Sequence, residues 1–154
     1  MFIYGKYDDG VLDGVCVFGS PASPWVSVSA VGEMNKVLEL QRLALSGNKP
    51  NEASWFVSRC LKLLGAKWEG IVVSYADTGA GHHGGVYQAL GFQYGGVSKE
   101  RTDIASDGHA RHHGGDPSIR QHRTAKHRYW TWVPRKKRAE CLWPSLEYPK
   151  PDAP

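Results

Sequence analysis

The stretch "GIVVSYADTGAGHHGGVYQALGF" (residues 70–92) decides the fold. Its opening, Gly70 to Ala76, is a short apolar, β-branched run, which predicts a buried strand. A glycine-rich turn carrying His82 and His83 follows. Val86 to Leu90 then reads as a short helix capped by Gly91, and "FQYGGVS" (92–98) as the next strand. Whether the histidines form a metal site, a nucleotide-binding turn or an ordinary loop depends on their neighbours.

Working back, "KVLELQRLALS" (36–46) predicts a largely buried strand, with Glu39, Gln41 and Arg42 near its functional end. Ala53, Phe56, Val57, Cys60, Leu61 and Leu64 then recur at spacings of three and four, which is helical. Pro50 suits the first turn of that helix and Gly65 a left-handed cap. Strand, helix and strand in succession predict a right-handed βαβ crossover. Further upstream, "GVCVFGSP" (14–21) and "WVSVSAV" (25–31) read as antiparallel strands joined by a Pro/Ser turn, and "HRYWTWVP" (127–134) as a final strand. The expected class is α/β, a central mixed sheet flanked by helices.

The 154 residues suit one domain, taken as 1–148, with "PKPDAP" (149–154) as a disordered tail. Residues 98–125 are rich in Gly, His, Asp and Arg, so they read as a functional or poorly ordered loop. No run approaches the ~18 apolar residues needed to cross a bilayer, and the acidic start lacks a secretory pattern, so an intracellular protein without a membrane partner is expected. Cys16, Cys60 and Cys141 are odd in number and far apart, which predicts reduced packing residues. The formal charge of +4 gathers late, in "RTAKHRYW" (123–130) and "RKKR" (135–138), which points to a polyanion or to a solvated basic face.

The succession from 36 onward, with Tyr87 four residues before the Gly91–Phe92 pair, resembles the GNAT type of N-acetyltransferase fold. More specifically, "LELQRLAL" (38–45), "NEASWFVSRCLKLL" (51–64), "VSYADTGAGHHGGVYQALGFQYGG" (73–96) and "KHRYWTW" (126–132) resemble the Mom-type DNA modification proteins of phage Mu. The resemblance covers residues 36 to 132. It implies an enzyme that converts the N6 amine of adenine to a carbamoylmethyl derivative and so protects phage DNA from restriction in the cytoplasm of an infected or lysogenic bacterial host. The pyrophosphate-binding pattern usual to the GNAT fold is replaced by Asn48-Lys49-Pro50-Asn51-Glu52-Ala53, of which the last alanine alone conforms.

An adenine N6 amine is a poor nucleophile and needs an acceptor for its hydrogen as bonding begins. Asp77, at the end of the second strand, is the first candidate, with Tyr75 lining the same cleft; as a bland alternative Asp77 is a turn residue. His82 binds substrate or relays a proton. Adjacent histidines do not point at one ion, so no metal is expected, although His109, His112 and His113 lie in the long loop. By the resemblance, Tyr87 protonates the leaving group of the donor. Arg42, Asn51 and Ser54 are the donor-binding candidates. Lys126, His127, Arg128, Tyr129 and Trp130 interleave cations and aromatics as a DNA-binding strand, with Lys126, Arg128, Trp130 and Trp132 on one face. The donor expected is glycyl-tRNA or an acyl-CoA. DNA, tRNA and a second copy of the chain are the partners considered. An acyl-CoA-dependent N-acetyltransferase of a protein or small-molecule amine, and a catalytically silent DNA-binding module, are the competing classes.

Overall fold

The computed structural model describes residues 1–47, 49–104, 120–138 and 140–150. Six strands form one sheet in the order β1-β2-β3-β4-β8-β5: β1 Phe2–Asp8, β2 Val11–Gly19, β3 Val37–Leu45, β4 Gly70–Asp77, β5 Gln93–Val97 and β8 Lys126–Val133. The β3–β4 pair is parallel and the other ladders are antiparallel, so the sheet is mixed. Helices α1 (Trp25–Val31), α2 (Glu52–Gly65) and α3 (Gly85–Ala89) complete the α/β architecture expected from the sequence. A separate two-stranded ladder pairs β6 (Arg101–Ile104) with β7 (Arg120–Arg123). The segment read as one long loop is therefore a hairpin at its two ends; His109, His112 and His113 lie outside the described residues, as do Asn48 and residues 151–154.

Two clusters fill the two faces of the sheet. One joins Cys16, Phe18, Leu40, Val72, Phe92 and Tyr129 to Phe56, Val57, Cys60 and Leu64 of α2. These α2 positions are those the helical spacing singled out. The other joins Val37, Ile71, Val73 and Trp130 to Ala30 of α1 and to Trp143. The alternation of β8 is as expected: Tyr129 enters the first cluster and Trp130 the second, while Trp132 packs on the second.

Several readings need correction. "WVSVSAV" is helix α1, not a strand: Ser27 and Ala30, three apart, are its buried residues, and Gly32 ends it with φ 75° and an N–H donated to the Val28 carbonyl. Ser27 Oγ donates to Glu33 O and accepts from Lys36 N–H, which ties the helix to the start of β3. The partner of β2 is instead β1, through a turn in which Asp9 and Gly10 both take positive φ (46° and 79°). Gly65 is the last residue of α2 rather than a left-handed cap. A Cβ there would come within 3.1 Å of Pro134 Cβ, so glycine serves the close approach of α2 to the end of β8.

Strand β3 is only half buried. Its register with β2 shifts between Val17, opposite Arg42, and Phe18, opposite Leu40, which leaves Gln41 as an extra residue. The bulge keeps Leu38, Leu40, Leu43 and Leu45 against the core and turns Arg42 outward, exposed, with its guanidinium on the Gln41 carbonyl. Arg42, in a strand expected to be largely buried, is surface because of this bulge.

Candidate functional site

The β3–β4 ladder holds only three pairs, Val37↔Ile71, Leu38↔Val72 and Glu39↔Val73. Beyond it β4 continues through Ser74, Tyr75, Ala76 and Asp77, paired on its other side with β8. The two parallel strands thus fork after Glu39 and Val73, and the candidate residues gather on the β4 arm.

Ser74 faces the α2 side, where it is fully buried. Tyr87 of α3 packs on the same side, its ring 5.6 Å from Phe92 and 5.4 Å from Tyr129. Burial raises the Tyr87 phenol above the usual tyrosine range; the Ser74 hydroxyl beside it pulls the other way, and the charge of Glu39 adds a smaller rise. Ser74 Oγ nonetheless has no aligned hydrogen-bond partner. Ser74 and Tyr87 are therefore neighbours without a formed hydrogen bond. The phenol is held as the neutral acid at physiological pH.

Tyr75 and Asp77 project from the opposite face, beside Arg128 and Lys126, their partners on β8. Burial raises the Tyr75 phenol, the charge of Glu39 adds to this, and Arg128 opposes it. Glu39 therefore acts on both tyrosines, Tyr75 on one face and Tyr87 on the other, from the point where the strands part. The sequence offered one signal for it, an acidic residue at an alternating position within "LELQ". No site role was read from it.

Asp77 is anchored. Its Oδ1 accepts from Thr124 Oγ1 (2.5 Å) and from Gly79 N–H (2.9 Å), and Lys126 Nζ stands 3.8 Å from Oδ2. The Thr124 hydrogen bond holds the carboxyl below its usual range against the opposing effect of burial, with smaller help from Gly79 N–H, Lys126 and His82. Asp77 thus fills the turn role, capping the short 3₁₀ turn Thr78–Ala80, while Oδ2 stays the freer oxygen.

The glycine and histidine turn is built around carbonyls. Both His82 and His83 are exposed. The His83 carbonyl accepts from Tyr129 Oη (2.5 Å) and from Gln88 Nε2 (3.0 Å), and His82 N–H donates to the Asp77 carbonyl (3.1 Å). Gly84 has φ 82°, and a Cβ there would run into the Tyr129 ring, so only glycine fits. Among the described residues no three His, Cys, Asp or Glu side chains come together as a metal-holding group.

The donor-binding candidates are scattered. Asn51 is exposed, with φ 61° and no side-chain cap, and Ser54 Oγ donates to the Asn51 carbonyl (3.0 Å), which spends its hydrogen. Glu52 occupies the first turn of α2, 3.0 Å from Lys6, which also pairs with Asp13. A carboxylate at this helix start takes the place where a phosphate would otherwise be favoured. Arg42 sits apart, on the far arm of β3.

The five β8 candidates split by face and depth. Tyr129 is fully buried and Trp130 nearly so (3% exposed), which removes both from any surface a base could stack on. Arg128 lies over the Trp143 ring (4.4 Å) and donates to the Gly95 carbonyl (2.8 Å). His127 Nδ1 shares a hydrogen bond with Tyr94 Oη (2.8 Å). Lys126 alone of the five is exposed. Alternating hydrophobicity reads the same for an exposed aromatic strand and for one covered on both faces.

A match to the family model described as Mom, the Mom protein family, spans residues 1–116. The chain belongs to the Mom protein family. The match runs from the β1–β2 hairpin through β6 and includes the whole fork, Asp77 and Tyr87, whereas the sequence resemblance began at residue 36. Family membership supports a phage DNA-modification protein. No curated protein matches the chain. No described helix is long and apolar enough to cross a membrane.

Proposed function

We propose that this Mom-family chain is a GNAT-like transferase that modifies the N6 amine of adenine in phage DNA, working in the cytoplasm of the bacterial host. The observation that carries the proposal is the placement of Tyr87: a phenol on α3 packed on Phe92 and Tyr129 and beside Ser74 of the β4 arm. Such a group is suited to protonating a leaving oxygen or sulfur.

An activated glycyl ester, such as glycyl-tRNA, is the donor that accounts for the nitrogen of a carbamoylmethyl product. The N6 lone pair attacks the ester carbonyl, the C–N bond forms, and the ester C–O bond breaks. Tyr87 supplies the proton taken by the departing oxygen. The amine's hydrogen passes to water and from there to Asp77 Oδ2, which lies on the opposite face of β4 from Tyr87 and is not engaged by Thr124 and Gly79. The glycyl amine then attacks ring C6 through a five-membered intermediate, and cleavage of the old C6–N6 bond leaves the isomeric carbamoylmethylamino group. Tyr75 lines the Asp77 face, and His82, exposed beside Asp77, tunes that carboxylate.

An acyl-CoA donor would need its diphosphate at the start of α2, where Glu52 and an exposed, uncapped Asn51 make a poor cradle. This favours the glycyl ester and disfavours a protein or small-molecule N-acetyltransferase. Because N6 pairs inside the duplex, the target base has to leave the stack. Feeding isotopic glycine to cells expressing the protein tests the donor: label in the modified nucleoside supports it, and a modified but unlabelled nucleoside rejects it.

A further inference from the structure

The basic and aromatic character expected of β8 is spent in the core, yet the same combination stands on the outside of α2. Trp55 is 52% exposed, with the Arg59 guanidinium 5.5 Å from its ring centroid. Ser58 and Lys62 continue the same helical stripe at spacings of three and four. Beyond them Lys62, Gly65 and Ala66 line a cavity of about 430 Å³ with Pro134 and Arg135, the latter bonded to the Leu90 carbonyl and followed by exposed Lys136. Among the described residues neither Arg59 nor Lys62 has a carboxylate partner, and the nearby Glu69 is taken by Lys137 at 2.6 Å. Core formation explains none of this, since α2 buries Phe56, Val57, Cys60, Leu61 and Leu64 on its other side.

The stripe also has a direction. α2 leaves the end of β3 and returns the chain to the start of β4, so Trp55 lies toward the fork and Arg135, just after the Val133↔Gly70 pair, lies at the opposite end of the sheet. From Trp55 to Lys62 the stripe runs about 10 Å at 1.5 Å per residue, and Arg135 extends it past the end of α2. That length of duplex carries a phosphate charge every ~1.7 Å of axis.

We propose that this face of α2 is the track on which the phosphodiester backbone of duplex DNA lies, with Arg59, Lys62 and Arg135 meeting phosphates and Trp55 packing against the sugar edge. The inference rests on the DNA-modification reading and adds to it where the duplex flanking the target base is held. Charge complementarity selects a polyanion, and the succession of cations from Arg59 through Lys62 to Arg135 selects a backbone rather than a single phosphate.

The test uses the full-length protein and fluorescence anisotropy with a labelled DNA duplex of mixed sequence and, separately, labelled tRNA, over a salt series. The variants are Arg59→Ala/Lys62→Ala and, as a milder second change, Lys62→Gln; both alter exposed side chains, and a thermal melt checks folding. The double variant is expected to lose at least about tenfold in duplex affinity, uniformly across sequences, and to lower the salt slope by about two; Lys62→Gln lowers it by about one. Unchanged duplex affinity and slope overturn the track, as does tRNA binding that depends on these residues while duplex binding does not. The two readings fail differently. Unmodified adenine in cells together with duplex binding lost in the double variant sinks the chemistry and keeps the track, whereas normal modification by the double variant with unchanged binding sinks the track alone.

Discussion

The Tyr87 ring lies 5.4 Å from that of Tyr129 at an interplanar angle of 36°, and Tyr129 in turn donates to the His83 carbonyl at 2.5 Å. One buried tyrosine of β8 therefore fixes both the proposed acid on α3 and the loop that precedes it. Gly84, the residue between that loop and the helix, permits the contact by lacking a side chain.

Replacing Tyr87 by Phe keeps the ring contacts with Phe92 and Tyr129 and removes the proton. Turnover is expected to fall by roughly 10²–10⁴, the usual span for a lost general acid, with the melting temperature close to wild type. Modified nucleoside formed per unit protein, beside a thermal melt, checks both halves.

Gly84→Ala places a methyl group against the Tyr129 ring at a residue with φ 82°. The loss is expected to be about 2 kcal/mol or more, from overpacking together with the left-handed backbone. Denaturant unfolding measures it. A stability within 0.5 kcal/mol of wild type, about the scatter of a neutral surface change, would mean the Tyr129 contact yields easily.

Asp77 sets an acid-side dependence. Its carboxyl is held below the unfolded range, near 3.9, so the stability it contributes is present above that value and is lost as pH falls through the lower folded value. Melting temperatures of wild type and Asp77→Asn should therefore converge at the acid end, below about pH 4. The wild-type advantage is small, because the side chain is 37% exposed. A difference between the two that grows toward low pH contradicts this sign.

The succession β3, α2, β4 was legible because its parts are short and strongly patterned. The aliphatic run 37–45, the heptad-like spacing of α2 and the β-branched run 70–76 each have one good reading. "WVSVSAV" alternates as a strand would, and its helical state comes from the burial of Ser27 and Ala30 and from the Gly32 cap, which are tertiary facts. The Asp9-Gly10 hairpin signal stood in the sequence unread. The depth of Tyr129 and Trp130 was invisible to alternation, because both faces of β8 are covered. Glu39 was hidden for a different reason: its influence on Tyr75 and Tyr87 depends on where β3 and β4 part, and no local pattern encodes that.

Phe18 is fully buried and meets Tyr4 edge-on at 6.1 Å. Phe18→Ala is expected to cost about 3–5 kcal/mol, the cost of a large buried ring left as a cavity. Urea denaturation reads this directly, and a cost below about 1 kcal/mol would mean that the β2–α2 core closes over the gap.

The most direct test of the account is nucleoside mass spectrometry on DNA from bacterial cells expressing the wild-type protein, with empty vector and Tyr87→Phe beside it. The account predicts an adenine nucleoside heavier by about 57 mass units with wild type alone, the mass of a carbamoylmethyl group replacing one hydrogen on a base taken from the stack. Unmodified adenine with wild type, or equal modification by Tyr87→Phe, would contradict it.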